Sequence, residues 1–255
     1  MTYLENYEVL ASTDLHELRD TLVRLTYRDE IDVIGKGHEI DASLRAVDLG
    51  GQSLMHITYG NVPTHVHAYE NDEDTLMLFI LTGGQAGIRH HGKAFGISPT
   101  TGLLRDNRVP LTACQDAFES FVIPLSIDEL KQHARSILGE GVGLKDIRFD
   151  TELDLTTPNG QHLRNTVIYI AEALDGPLRG AGNPIILAGL KDLLLTSVLS
   201  LLPNSATDAL QGRPKAGAVP YYVKRAREYI HAHADTAITL ETLASHAGCG
   251  YRTLQ

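Results

Sequence analysis

The chain has 255 residues, 43% of them hydrophobic and 21% charged, which is enough to bury one large core or two smaller ones. Its 32 acidic residues outnumber 22 basic ones for a formal net charge of −10, which excludes a body that holds nucleic acid through bulk electrostatics. Two cysteines, Cys114 and Cys249, are too few for a disulfide framework or a zinc site and fit a reducing cytoplasm, and the opening Met-Thr-Tyr-Leu-Glu-Asn lacks the basic start and apolar run of a signal peptide.

In chain order, Ser12-Thr13-Asp14 ahead of Leu15, Leu18, Leu22, Val23 and Leu25 predicts a capped amphipathic helix ending near Tyr27. From Glu39 the pattern turns to short β-rich runs broken by Gly, Pro and Asn, with strands predicted over 40–49, 53–59, 64–69, 75–82, 85–91, 102–105 and 120–124. Strands at this spacing predict an antiparallel sandwich or barrel. Helical period returns over 127–138, then over 160–174 and 183–202. The longest apolar run, 185–202, is interrupted by Lys191 and Asp192 and is not read as a membrane span. Its stripe of Ile186, Leu190, Leu193, Leu194, Ser197, Val198 and Leu201 suits pairing with a second protomer and packing on its own barrel equally well.

A polar linker rich in Ser, Gly and Pro fills 204–217. After Pro220, a helix places Val223, Ala226, Tyr229 and Ile230 on one stripe and Lys224, Arg225 and Arg227 on the other side. Thr239 then caps a short helix carrying Leu240, Leu243, Ala244 and Ala247, Gly248 ends it, and another helix opens near Tyr251. Helix, glycine turn, helix is the helix-turn-helix arrangement. The fold class is therefore α+β: an antiparallel sandwich or barrel with helices, followed by the start of an all-α unit.

The C-terminal residues Ile238, Leu240, Leu243, Ala244, Ala247, Gly248, Arg252, Leu254 and Gln255 resemble the opening of an AraC-family DNA-binding domain, with Gly250 where that pattern has Ser. The resemblance implies promoter DNA as partner, with Tyr251, Arg252 and Gln255 at the start of a reading helix. It also implies a truncated output module, since the family carries a second helix-turn-helix unit, and poor DNA binding by this piece alone. Over roughly 10–205, the order Leu-Met-Leu-Phe-Ile-Leu-Thr-Gly-Gly, a hairpin, and a corner at Gly96, Ser98, Pro99 and Gly102 resemble the cupin-like effector domains of AraC-type regulators. That resemblance implies a cytoplasmic, non-enzymatic homodimer divided into a ligand-sensing domain (1–138), a helical dimerisation region (139–205), a linker (206–217) and the first part of the DNA-binding domain (218–255).

Two patterns bear on what is sensed. His65-Val-His67 with Glu70 or Glu73 resembles the first metal motif of catalytic cupins, because alternate residues of a strand share a face. Arg105 stands where a second motif would supply histidine, which leaves a metal-dependent cupin enzyme as the lesser alternative. His90 and His91 read as surface and turn residues. The other pattern is Arg24-Leu-Thr-Tyr-Arg28 followed by Asp41-Ala-Ser43-Leu-Arg45-Ala46. It resembles the cyclic-di-GMP signature of PilZ domains, with Ala46 where that signature has glycine. Guanidinium forks suit phosphate and the guanine edge, and Asp41, Ser43 and Arg45 share one strand face. The resemblance implies cyclic di-GMP as effector, no other cofactor and no metal. Arg24 and Arg28 would clamp phosphate and guanine, and Asp41 and Ser43 would read the base. The architecture as a whole resembles AraC-like activators of exopolysaccharide synthesis genes that respond to cyclic di-GMP. The alternative is another small molecule, such as a sugar or an aromatic acid, inside the barrel.

Overall fold

Residues 76–81 read Leu-Met-Leu-Phe-Ile-Leu, apolar on both parities, and as a strand such a run needs cover on both faces. The structure, a computed structural model that describes residues 2–25, 29–35, 39–71, 74–138, 147–180, 182–205, 221–233 and 238–248, meets that demand. In chain order the N-terminal part contains β1 (Glu8–Ser12), α1 (Leu15–Leu25), β2 (Asp29–Val33), β3 (Ala42–Asp48), β4 (Ser53–Thr58), β5 (Thr64–Ala68), β6 (Thr75–His90), β7 (Lys93–Ile97), β8 (Thr101–Asp106) and β9 (Leu111–Ser126). Then come α2 (Ile127–Leu138), β10 (Glu152–Asp154), α3 (Pro158–Asp175) and α4 (Pro184–Leu201).

All pairings are antiparallel, and the long strands β6 and β9 run side by side from end to end. Their halves join different neighbours. One half belongs to the order β1-β3-β4-β9-β6-β8-β10, while the other carries β5 and β2 beside β9 and β7 beside β6. Where the sequence predicts two strands separated by a Gly-Gly turn, the chain forms the single strand β6. Its register slips between Leu81 and Gln85, so the glycines make a bulge and the true hairpin turn lies at His91-Gly92. Gly84 has φ +67°, and a Cβ there would lie 2.0 Å from the Ala117 carbonyl oxygen, so no side chain fits. The bulge bends the paired strands from one half of the barrel into the other.

Alternation along these strands builds two cores. Inner residues such as Met55, Ile57, Met77, Leu81, Ile88 and Val122 form the barrel core, which α1 closes with Leu18 and Leu22. Outer residues Leu54, Leu76, Leu78, Ile80, Phe121 and Ile123 form a second core with Tyr3, Leu4 and helices α2, α3 and α4. The stripe on α4 that suited either pairing or packing is spent largely on packing: Leu190, Leu194, Ser197 and Val198 are buried and Leu193 is exposed. By length and composition α4 could cross a membrane, yet its Lys191 bonds Glu129 Oε1 at 2.6 Å and Gly50 O at 3.2 Å on the body it packs against.

The chain divides into two compact units, Met1–Leu210 and Gln211–Gln255. In the second, α5 (Tyr221–Ala232) and α6 (Leu240–Ala247) pack through Ala226, Ala244 and Ala247, with the Tyr229 ring 4.4 Å from that of His246. Thr239 Oγ1 accepts from Thr242 N at 3.2 Å, and Gly248 ends α6 in the left-handed conformation at φ +69°, as the sequence predicts.

Candidate functional site

Of the residues assigned to cyclic di-GMP, Arg24 sits exposed in the last turn of α1. It is engaged within its own helix, through Nε to Asp20 O at 3.2 Å and Nη2 to Thr21 Oγ1 at 3.1 Å. Arg28 lies outside the described residues. Asp41 is exposed just before β3, and Ser43 and Arg45 follow on the outer face of that strand. Ser43 Oγ and Arg45 Nε are buried without a hydrogen-bond partner. Ala46 turns inward against the barrel core, and its N–H donates to Tyr7 O. Tyr251, Arg252 and Gln255, assigned to DNA, lie outside the described residues.

Arg45 is in register with His56 on β4, and His56 with Phe121 on β9. His56 is 1% exposed, ringed by Tyr3 and Phe121 at 5.3 and 5.0 Å between centroids. Its Nε2 lies 3.2 Å from Thr82 Oγ1 and 3.3 Å from Glu119 Oε1. A carboxylate so close favours an imidazolium, but burial, and after it the Arg45 charge, lowers the pKa to about 4. The neutral ring donates from Nε2 and leaves Nδ1 a buried acceptor without a partner.

His65 and His67 alternate with Thr64, Val66 and Ala68, whose side chains are buried, so the two histidines face away from the barrel interior. Among the described residues no three His, Cys, Asp or Glu side chains gather as a metal set, and Glu73 lies outside them.

The interior holds a cavity of about 40 Å³ walled by Ile57, Val66, Met77, Phe79 and Val122. Among the described residues Arg105 is its one charged wall, 3% exposed, with Nη2 donating to Tyr69 O at 2.8 Å. Gln115 is its other strongly polar wall, accepting from Thr64 Oγ1 at 2.9 Å. The sequence reading treats Arg105 only as a missing histidine. The available signal was parity, because Leu103 and Arg105 both fall on the inward side of β8. His90 also needs correction from surface to interior. It is 2% exposed at the inward-facing end of β6, while His91 forms the turn at φ +50°. Burial lowers the His90 pKa, so its ring is neutral at pH 7.

The AraC-binding-like domain family matches residues 19–200. The probable thc operon regulatory protein of Rhodococcus erythropolis is 26% identical over 250 residues, spanning 96% of this chain and 73% of that protein. The crystal structure of the AraC-like transcriptional activator CuxR superposes with a TM-score of 0.53 at 15% identity, covering 95% of this chain and 83% of that one, a likeness of fold. The chain belongs to the AraC-binding-like family, and its cupin-like barrel and helices are the sensor domain of an AraC-type transcription regulator.

Proposed function

We propose that this regulator takes its effector inside the barrel and passes occupancy to the helices that pair two protomers on promoter DNA. The observation that carries this reading is the shared strands. Met77 and Val122 wall the cavity, and their chain neighbours Leu78 and Phe121 pack in the core beneath the helices. A space of about 40 Å³ holds a few waters. A larger effector therefore displaces Met77, whose unbranched side chain repacks readily, and strains a strand that the helices grip from behind. Such an effector binds one conformation better and shifts the population toward it. Filling the cavity with Ala113→Phe is expected to abolish the effector response at the promoter in cells while leaving promoter binding by the full regulator in place. A response that survives the substitution refutes a barrel effector.

A second reading places cyclic di-GMP on the outside of the barrel. It is favoured by the two buried, unpartnered groups Ser43 Oγ and Arg45 Nε, side by side on one strand face. There Arg24, Arg28 and Arg45 would take phosphate and guanine, Asp41 and Ser43 the base edge, and exopolysaccharide synthesis genes would be activated. Calorimetric titration decides: saturable heat that Arg45→Ala removes supports this reading, and no heat from folded protein sinks it.

A further inference from the structure

An open groove of about 730 Å³ is lined by residues of β7, the start of β8 and β10, and none of them walls the barrel cavity. Phe95 of β7 and Phe149, ahead of β10, give it half-buried apolar surface. Glu152 and Asp154 flank the buried Leu153, so their exposed side chains share one face of β10, and the exposed Asp150 lies two residues before Glu152. Asp154 Oδ1 accepts from Thr156 Oγ1 at 2.6 Å and Thr156 N at 2.8 Å, which lowers its pKa and fixes the carboxylate in place. His90 borders the same groove and is 2% exposed. Its Nδ1 lies 3.2 Å from Pro110 O. A carbonyl oxygen only accepts, so Nδ1 carries the proton, and Nε2 is left as an acceptor that is buried with no partner. The exposed ring of His91 stands against that of His90, 4.4 Å between centroids. Lys93, in register with His90, is the one lysine or arginine of the lining.

These groups call for a donor. Carboxylates and the free nitrogen of a neutral imidazole only accept, and an ammonium only donates. With histidine neutral, three carboxylates against Lys93 leave the lining with two negative charges. Among the described residues no three His, Cys, Asp or Glu side chains gather to hold a metal ion, so the separated charges suit a ligand whose positive charges are also apart. Side chains two residues apart on a strand face stand about 6.6 Å apart. A four-carbon diamine sets its nitrogens five single bonds of about 1.5 Å apart, roughly the same span when extended. We infer that this groove binds an aliphatic diamine of that spacing, at a site distinct from the barrel interior. Its ammonium groups pair with Glu152 and Asp154, and its methylenes lie against Phe95 and Phe149. One ammonium also donates to His90 Nε2 once the exposed His91 ring turns aside, while Asp150 adds to the attraction. Lys93 opposes a cation, and its flexible stem lets that charge swing into water.

Calorimetry on the full chain at fixed ionic strength tests this with butane-1,4-diamine, butan-1-amine and magnesium chloride. The diamine is expected to saturate one site per chain and to bind at least tenfold tighter than either of the others. Glu152→Gln should weaken it at least tenfold, whereas Glu5→Gln, which removes an exposed carboxylate elsewhere, should leave it unchanged. The imidazole nitrogen resonances of His90 read the buried contact without a substitution, and the Nε2 signal is expected to move as the diamine is added. Equal binding of diamine, monoamine and magnesium, or equal weakening by Glu152→Gln and Glu5→Gln, means cations condensing on an acidic surface and overturns the assignment. No saturable heat, or a His90 Nε2 signal that stays in place, does the same. Weaker binding in Lys93→Ala also overturns it, because the ligand would then carry a negative charge for Lys93. Ala113→Phe, which fills the barrel cavity, is expected to leave diamine binding intact, and its loss there removes the groove as the site.

Discussion

The two faces of β4, β6 and β9 carry different duties. Outward, Leu78, Ile80, Phe121 and Ile123 are buried to the last few per cent beneath Tyr3, Leu4 and the helices. Inward, the same strands border a void, a buried arginine and a neutral histidine. The close-packed face supplies stability, and on the proposed reading the face that keeps a void leaves room for an effector. The sharpest way to break this contrast uses adjacent residues. Phe121 is 0% exposed and wedged between Tyr3 and His56, so Phe121→Ala is expected to cost about 3–5 kcal/mol in chemical denaturation. A loss of under about 1 kcal/mol there would mean that the helix layer is not what holds the barrel.

The second effect is acid sensitivity, and it also belongs to the outer face. With a folded pKa near 4 against an ordinary 6.5, His56 binds its proton more readily in the unfolded chain. Stability from this residue is thus complete above about pH 6.5, falls as pH drops through that window and is lost by about pH 4. The shift corresponds to about 3 kcal/mol, and His56→Gln should flatten the loss when denaturation midpoints are compared at pH 7 and pH 4.5. A pH dependence left unchanged by the substitution would place the acid-labile group elsewhere.

Val122→Ala, one residue from Phe121, probes the inner face. It removes two methyl groups beside an existing void, for an expected cost of about 1.5 kcal/mol. Its larger consequence should be a changed effector response in the promoter assay. A response identical to that of the native chain would count against Val122 as a wall of the effector site.

Much of this contrast could be read in the sequence, though not its meaning. The apolar run 76–81 announces a strand covered on both sides, and the predicted helices over 127–138, 160–174 and 183–202 match α2, α3 and α4 closely, the last two because Thr157 and Asn183 cap them and Pro follows each cap. The strands β1, β2, β7 and β10 and the first half of β9 escaped notice. They are short or polar on one parity, and their order comes from partners distant in the chain. The Gly-Gly pair misled for a related reason, since a bulge and a turn use the same residue and only the partner strand distinguishes them. The candidate site was hidden most of all. Arg105 and His90 resemble surface residues until closure of the barrel fixes which parity is inside. By contrast, the shared outer face of Ser43 and Arg45 is legible in the sequence, because period 2 needs no partner.

The smallest expected effect tests how the helix layer is attached. Thr157 Oγ1 accepts from Gly160 N at 3.1 Å and donates to Asp154 O at 3.0 Å, so one hydroxyl both caps α3 and ties it to β10. The approach is tight, for a Cβ on Gly160 would lie 2.2 Å from Asp154 O. Thr157→Ala should therefore cost about 1 kcal/mol, read as a lowered denaturation midpoint, and Thr157→Ser should restore most of it. The effector response separates two routes from barrel to helices. If occupancy is passed through the backs of β6 and β9, loosening the α3 cap leaves the response in place. If Thr157→Ala silences the promoter while the chain stays folded, the route runs instead from β8 through β10 into α3. Arg105, which lies on β8, would then act on the helices through β10.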